Sequence, residues 1–336
     1  MPDSQQASDL DHGSAAPGML GREYKWPHDG TYLQNWNPLL LTEELRAGKI
    51  VSKDFLGTKV IVYRAADGKP VVQSAYCPHL GADLSVGEIV NGNVRCPYHH
   101  WSFAANGRCV NIPDENKIPK GAFISNYPAA EKWGLIWAFN GETPLYGVPD
   151  LPNIAEEDVV FRARRHGVRP LEGWISTSNS VDFQHLKTVH GLGNVNPTKI
   201  EFGDYTVQIR MENENRIGET IISGCTWSSF HQRFPKDGTE RFFMAGSAQL
   251  APGYSEAYYV VAVRRSEAEK IGEEATQERL RVHTDWVYKL YSEDEPILYS
   301  IRFRERGRRI LVGLDRHFAT FLKMAEQYPR SAPFDV

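Results

Sequence analysis

Two short loops of this sequence each supply one cysteine and one histidine. Cys77 and His79 are separated by one residue and Cys96 and His99 by two, in the order Cys, His, Cys, His. Thiolates and imidazoles at such spacing are typical metal ligands, and a tetrahedral zinc ion is one candidate occupant. Zinc modules, however, usually pair Cys with Cys and His with His, whereas this order alternates. The alternation favours a [2Fe–2S] cluster in which two thiolates hold one iron and two imidazoles hold the other.

A second set of candidate ligands follows later in the chain, in the segment Asn179-x-x-Asp182-x-x-His185-x-x-x-x-His190. A helix would place Asp182 and His185 on one face, because they are three residues apart. His185 and His190 are five apart, about 140° around an ideal helix, so both can bind one ion only where a π-bulge or the helix end intervenes. Two histidines and one carboxylate form the facial triad of non-haem Fe(II) oxygenases. The segment therefore predicts a mononuclear iron site whose third ligand lies elsewhere.

Short β-rich runs separated by turn residues surround the first pair of loops. They cover residues 59–63, 70–73, 88–90, 93–95 and 135–139. Many short strands at such spacing predict a small antiparallel β domain over about 40–145.

A second domain is predicted after a Pro- and Gly-containing linker at residues 141–152. A helical segment is expected around 174–190, followed by strands near 206–211, 220–222, 242–248 and 257–263. Residues 267–291 and 295–328 are expected to be mostly helical. Strands bracketed by helices favour an α+β architecture for this part of the chain.

The two motifs in this order resemble the catalytic α subunits of the Rieske non-haem iron oxygenases, over about residues 40–330. The resemblance implies an α+β two-domain fold, with an all-β Rieske [2Fe–2S] domain over 23–150 and a catalytic domain over 151–336. The second domain is expected to be a helix-grip-like antiparallel sheet with helices that carry the mononuclear iron. Residues 1–22, rich in Ser, Asp, Gly and Ala, are predicted to be a disordered tail. The resemblance assigns Cys77, His79, Cys96 and His99 to the cluster, and His185 and His190 to the mononuclear iron.

In that family the third iron ligand is an aspartate in the C-terminal helical region. Asp285, Asp294 and Asp315 are the candidates here. Asp294 is preferred because its acidic segment, residues 292–298, looks like the one that opens the family's last helix. Glu293 and Glu295 remain rivals, and acidic residues at a helix start are commonly caps.

The resemblance also gives Asp182 a role between two subunits. It implies that Asp182 accepts one hydrogen bond from a ligand histidine of the iron and another from a cluster histidine of the neighbouring subunit in a homotrimer. Asn179, one turn earlier, is a weaker candidate for a supporting role. The sequence has neither a G-x-G-x-x-G motif after a strand nor a plant-type ferredoxin cysteine run. Electrons are therefore expected from a separate NAD(P)H-dependent reductase or ferredoxin.

The resemblance implies a terminal oxygenase, a mono- or dioxygenase that uses O2 to hydroxylate or oxidatively dealkylate a hydrophobic cyclic substrate. The first domain is most similar to the branch acting on steroids, whereas the length resembles the demethylase type acting on methoxylated aromatics. Aromatic residues on predicted strands are candidates for lining the substrate pocket, although core packing is their default role, and no basic residue stands out as a carboxylate clamp. The alternative is a Rieske electron-transfer or assembly protein with an inactive second domain. The aromatic candidates are Trp227, Phe230, Phe242, Phe243, Tyr258 and Tyr259.

Composition excludes several other classes of protein. Lys plus Arg number 38 and Asp plus Glu 42 among 336 residues, a net charge of −4 that argues against nucleic-acid binding through bulk positive charge. Four cysteines are too few for a disulfide scaffold. No apolar run approaches the roughly 20 residues of a membrane span, and the N-terminus lacks a secretory pattern. A cytoplasmic location is therefore expected.

Overall fold

The computed structural model describes residues 29–193, 195–301 and 309–334. The predicted tail at 1–22 and the first residues of the predicted first domain lie outside these ranges. The strands are β1 (Tyr32–Leu33), β2 (Trp36–Leu41), β3 (Val51–Phe55), β4 (Thr58–Arg64), β5 (Pro70–Ser74), β6 (Glu88–Val90), β7 (Asn93–Arg95), β8 (Ser102–Phe103), β9 (Cys109–Asn111), β10 (Asn126–Tyr127), β11 (Ala129–Lys132), β12 (Leu135–Phe139), β13 (Val159–Arg169), β14 (Lys199–Phe202), β15 (Thr206–Asn213), β16 (Arg216–Ser223), β17 (Trp227–Phe234), β18 (Thr239–Ala251), β19 (Tyr254–Arg264) and β20 (Arg330–Ser331). The α-helices are α1 (Gly173–Ser178), α2 (Phe183–Thr188), α3 (Arg265–Ile271), α4 (Glu273–Leu298) and α5 (Asp315–Gln327).

The first domain consists of three small antiparallel sheets, which confirms the predicted all-β architecture. Their strand orders are β10-β5-β4-β3, β11-β12-β2 and β6-β7-β8-β9. The hairpin between β6 and β7 turns at Asn91 and Gly92, which both have positive φ (51° and 77°). Two such residues form the tight turn that matches the twist of paired strands. The last of the three sheets carries one of the two cysteine loops, directly after β7.

Strand β4 is buried on both faces and separates two cores of the first domain. Ile61 and Tyr63 pack with the cluster loops, in the core that contains Cys77 and Cys96. The alternate residues of β4, on its other face, pack with β2 and β12. Because side chains alternate along a strand, one short apolar run supplies both cores.

The second domain is a seven-stranded antiparallel sheet in the order β13-β19-β18-β17-β16-β15-β14, with helices packed on it. Helix α4 buries Leu280 and Val287 against Phe243 and Val261 of the sheet. This α+β arrangement confirms the fold class predicted for this part of the chain. Among the described residues, no helix has both the length and the apolar character needed to cross a membrane.

The two domains share one aromatic core. The rings of Trp137 in β12 and Trp227 in β17 meet edge to face, with centroids 4.7 Å apart. The end of the chain also returns to the first domain, because β20 pairs with β1. Phe334 stacks there on Tyr127, with ring centroids 4.5 Å apart. Residues assigned by sequence to the second domain therefore pack against the first.

The buried carboxylate of Glu172, just before α1, makes the stability of the fold depend on pH. The side chain is 8% exposed, and its Oε1 accepts a hydrogen bond from the Gly253 backbone N–H at 2.6 Å. Burial raises the pKa of Glu172 from 4.5 to about 7. As the pH rises from about 4.5, the unfolded chain releases this proton before the folded chain does, so the folded state loses stability until about pH 7.

Replacing Glu172 with Gln should remove this loss while keeping an acceptor for Gly253. We expect the variant to gain on the order of 3 kcal/mol over the unaltered chain between pH 4.5 and pH 8. Urea unfolding of both proteins at several pH values measures the difference, since all other titrating groups are shared. Identical pH profiles for the two proteins would show that Glu172 titrates normally.

Candidate metal centres and substrate cavity

Each of the two cysteine loops closes on itself through a backbone hydrogen bond. The Cys77 N–H donates to the Ala82 carbonyl at 2.9 Å, and the Cys96 N–H donates to the Trp101 carbonyl at 2.8 Å. Cys77 and Cys96 are 2% and 1% exposed. Two turns after β5 and β7 thus hold the thiols in the interior.

The four predicted cluster ligands form two pairs. The Cys77 thiol has the Cys96 thiol as a neighbour, and burial raises the pKa of Cys77 to about 12. The His79 and His99 rings lie on the exposed side of the loops, with centroids 4.7 Å apart. Trp101 stacks on His79 at 4.6 Å, with the rings 5° from parallel. Paired sulfurs inside and paired imidazoles outside fit a cluster with thiolates on one iron and imidazoles on the other.

The predicted helix at 174–190 consists of two short helices, and the second ends between His185 and His190, where the motif requires an end. Helix α1 ends at Ser178, a 3₁₀ turn covers Asn179–Val181, and α2 ends at Thr188. His190 lies beyond that end, before Gly191 with φ +63°. The His185 and His190 rings consequently reach the same place, with centroids 5.2 Å apart. The helix end required by the five-residue spacing is present.

Asp294 completes a group that we call the metal triad. One donor atom each from His185, His190 and Asp294 lies within 4.8 Å of the others. The His190 Nε2 and Asp294 Oδ1 atoms are 3.1 Å apart. In the described part of the chain, no other group of three His, Cys, Asp or Glu donors is this close. Two imidazoles and one carboxylate are the donor set of a facial Fe(II) site.

Neighbouring groups orient all three members of the triad. His185 Nδ1 contacts the backbone carbonyl of Asp182, and His190 Nδ1 lies 2.8 Å from Glu293 Oε2. Both Nε2 atoms are therefore left for a metal, since the partner of one ring nitrogen sets the role of the other. The Asn179 amide donates to Asp294 Oδ2 at 3.0 Å.

The two histidines of the triad differ in their electrostatic surroundings. Burial lowers the pKa of His185, which favours the neutral imidazole that a metal ligand must be. Burial acts in the same direction on His190, but its hydrogen bonds with Asp294 and Glu293 outweigh it and raise the pKa. The triad thus collects negative charge around His190, where a metal cation would be stabilised.

Asp294 does not lie at the start of a helix, contrary to the expectation from its acidic segment. It belongs to the last turns of α4, which begins at Glu273 and continues past Pro296 to Leu298. Acidic residues followed by proline are typical of a helix start. Here the helix begins much earlier, at Glu273, and packing of its buried face stabilises it as far as Leu298. Pro296 costs only one backbone hydrogen bond, because it lies close to the end of the helix.

The rival carboxylates lie outside the triad and have partners of their own. Asp285 binds Arg281 at 2.6 Å on the exposed face of α4. Asp315 accepts from the Val312 N–H at 2.9 Å, and Glu295 pairs with His166 at 2.8 Å. Glu293 instead holds His190. The sequence offers no signal for that contact beyond the adjacency of Glu293 and Asp294.

Asp182 caps helix α2 and lies between His185 and the surface. Its Oδ1 accepts from the N–H groups of Gln184 and His185, each at 3.1 Å. The same oxygen is 3.9 Å from His185 Nδ1, and the side chain is 33% exposed. Within the described ranges, Oδ2 accepts no hydrogen bond. The ring of His185 therefore binds the Asp182 backbone, while the carboxylate keeps one free oxygen.

A cavity reaches the metal triad and encloses about 880 Å³, with the open solvent at its mouth included. Phe230 and Phe243 line it and stack at 4.3 Å, and Trp286 meets Phe243 edge to face at 5.2 Å. The largely apolar walls suit a small hydrophobic ligand. Of the aromatic candidates, these two phenylalanines line the cavity. Three others, Trp227, Phe242 and Tyr258, belong to the core shared by the domains.

Comparison with known proteins identifies the first domain. Residues 35–128 match the model of the Rieske [2Fe-2S] domain. Over 163 residues the chain is 37% identical to cholesterol 7-desaturase nvd of Bombyx mori, covering 47% of this chain and 36% of that protein. Over 211 residues it is 30% identical to the 3-chlorobenzoate-3,4-dioxygenase oxygenase subunit of Comamonas testosteroni, covering 59% and 47%. The matches span about a third to a half of the length of these curated relatives.

The whole fold is similar to that of NdmA from Pseudomonas putida CBB5, solved with caffeine. The TM-score is 0.70 at 15% identity, over 90% of this chain and 96% of that one. The first of the two domains is thus a Rieske domain, which implies a [2Fe–2S] cluster, and the chain has the two-domain fold of that solved structure. Within that class, the resemblance to the catalytic α subunits of the Rieske non-haem iron oxygenases is confirmed.

Proposed function

We propose that this chain is the terminal oxygenase component of a Rieske non-haem iron oxygenase system. It uses O2 and electrons from outside the chain to hydroxylate or oxidatively dealkylate a hydrophobic cyclic substrate. The observation that carries this proposal is the metal triad, which lies at an apolar cavity in the same chain as a Rieske domain. An electron carrier has no need of either the triad or the cavity.

The residues divide into two sets of ligands. Cys77, His79, Cys96 and His99 hold the cluster, and His185, His190 and Asp294 hold the mononuclear iron. When bound, the cluster supplies stored electrons and the iron supplies O2 activation. Asn179 and Glu293 act as positioning residues, because they hold Asp294 and His190 in place.

The cavity walls bind the substrate and exclude water. Phe230 and Phe243, which stack on each other, and Trp286 beside them give the wall an aromatic, apolar surface for a ring system. Polar residues also line the cavity, and two of them, Ser180 and Ser228, bind each other at 2.8 Å. A substrate whose body is an aromatic or steroid-like ring fits such a lining. The names of the two relatives, a cholesterol desaturase and a chlorobenzoate dioxygenase, support this class.

Electron transfer between subunits is the second part of the proposal. His79 and His99 lie on the surface of the first domain, and one carboxylate oxygen of Asp182 accepts no hydrogen bond from the described residues. In a head-to-tail homotrimer, Asp182 of one chain would accept from a cluster histidine of the next. A separate NAD(P)H-dependent reductase or ferredoxin delivers the electrons. We propose that the whole system works in the cytoplasm.

Turnover with an added reductase tests the proposed activity. The iron-loaded protein, a surrogate ferredoxin and reductase, NADH and ¹⁸O2 are incubated with a panel of steroids, aromatic acids and methoxylated aromatics. We expect one compound to yield a product carrying ¹⁸O or lacking a methyl group, detected by mass spectrometry. His185→Ala is the matched control, because it keeps the cluster loops intact. Cluster reduction with no product from any compound would favour the electron-transfer alternative.

A further inference from the structure

One part of the cavity wall contains an arginine that has no acidic partner in the described part of the chain. Arg216, the first residue of β16, lines the cavity. Its guanidinium lies over the ring of Phe234, 5.6 Å from the centroid. Across the residues that the structure describes, its side chain makes neither a hydrogen bond nor an ion pair. We call this region the arginine end.

A second arginine and an amide share the arginine end. Arg241 lies over the rings of Trp286 and Phe234, at 4.2 and 5.4 Å. Its Nε is buried without a hydrogen-bond partner, as is Oε1 of Gln232 on the neighbouring strand. Gln232 and Arg241 are directly opposite in the β17–β18 register, and Gln232 also lines the cavity. Three side chains with unused polar atoms therefore meet at one place.

The charges of the two arginines are not balanced by the acids on the same strands. Glu219 binds Arg210 at 3.1 Å, and Glu240 binds Arg264 at 2.8 Å. Both acids occupy alternate strand positions, which project from the opposite face of the sheet. Burial lowers the pKa of Arg216, and burial together with the charge of Arg216 lowers that of Arg241. Two partly buried cations without a counter-charge among the described residues favour a bound anion.

The arginine end is well separated from the metal triad. Ser228 of β17 bonds to Ser180, which follows Asn179, the partner of Asp294. Gln232 is four residues further along the same strand, and at about 3.4 Å per residue this is roughly 14 Å. A ligand that reaches both ends is therefore longer than a single ring.

We propose that the arginine end binds an anionic group of the substrate, a carboxylate or a sulfonate, through Arg216 with Gln232 and Arg241. The substrate is then a rigid apolar ring system whose anionic group lies on the order of 10 Å from the carbon that is oxidised. This inference rests on the proposed function for its substrate, but it concerns binding alone. A guanidinium is suited to both anions, because its donors match two oxygens at once.

Calorimetric titration of the metal-loaded protein tests the inference without turnover. The probes are biphenyl-4-carboxylate, biphenyl-4-sulfonate and the uncharged biphenyl-4-carboxamide. We expect the better of the two anions to bind at least about 10-fold more tightly than the amide, because charge-assisted hydrogen bonds are stronger than neutral ones. Whichever anion binds more tightly identifies the group.

Arg216→Gln should reduce anion binding about 10-fold or more and leave amide binding unchanged, which also shows that the variant is folded. Arg210→Gln, on the exposed side of the neighbouring strand, is the matched control and should change neither anion binding nor amide binding. The inference would be overturned if the unaltered protein bound the anions and the amide equally, or bound none of them. It would also be overturned if the Arg216→Gln protein still preferred the anions to the amide. A protein that selects the anion but oxygenates nothing would instead overturn the proposed function alone.

Discussion

The Asp294→Ala variant is expected to lose the mononuclear iron and at least about 100-fold of the oxygenase activity, while the cluster remains. Removing a residue that merely supports a metal ligand already costs 10–100-fold in affinity or activity, and Asp294 is a ligand itself. It is the carboxylate 3.1 Å from His190 Nε2. The cluster should persist because its ligands lie in the other domain.

Iron analysis and the visible spectrum measure the two centres separately. The unaltered chain should hold two irons in the cluster and one in the triad, and Asp294→Ala should hold the cluster irons alone. Asp285→Ala and Asp315→Ala are the controls, because they remove the same side chain at positions that bind other groups. Both should keep all three irons. If Asp294→Ala keeps full iron and activity while Asp285→Ala or Asp315→Ala loses them, Asp294 is not the third ligand.

The Asp182→Asn variant is expected to retain both metal centres and to lose about 10–100-fold of the rate of product formation. Asn caps a helix as well as Asp does, so α2 should keep its geometry. The substitution removes the negative charge that would bind an imidazole of the neighbouring subunit. Stopped-flow oxidation of the reduced cluster, in the presence of substrate and O2, measures the slowed step. Unchanged cluster oxidation in this variant would contradict the bridging role.

Mixed oligomers determine whether electrons cross between chains. A Cys77→Ser chain lacks the cluster and a His185→Ala chain lacks the iron, so neither should be active alone. If transfer is head to tail, co-expression of the two should restore part of the activity, because some intact clusters then face intact iron sites. Mixed oligomers of confirmed composition that remain inactive would show that electrons move within one chain.

The cluster motif could be predicted from the sequence because its ligands are close along the chain. Cys77 and His79, and likewise Cys96 and His99, belong to single loops that backbone hydrogen bonds close locally. Such a loop has few alternative geometries, so residue type and spacing already limit its chemistry. The same holds for His185 and His190, which α2 and its end bring together. Short-range alternation and turn residues also predicted strands in both domains, but not β2, β3, β13 or β17.

The remainder of the site depended on contacts between residues far apart in the sequence. Asp294 reaches His190 because α4 packs its buried face on the sheet, and the local signal of an acidic run before proline had suggested a helix start instead. Arg216 could not be distinguished from other strand arginines by type or spacing. Its position on the cavity side follows from the pairing of β16 with β17. It has no acidic partner within the described ranges because Glu219 and Glu240 project from the other face of the sheet and bind other arginines. Only the tertiary structure decides such features, because strand register and helix packing are set by the burial of many side chains at once.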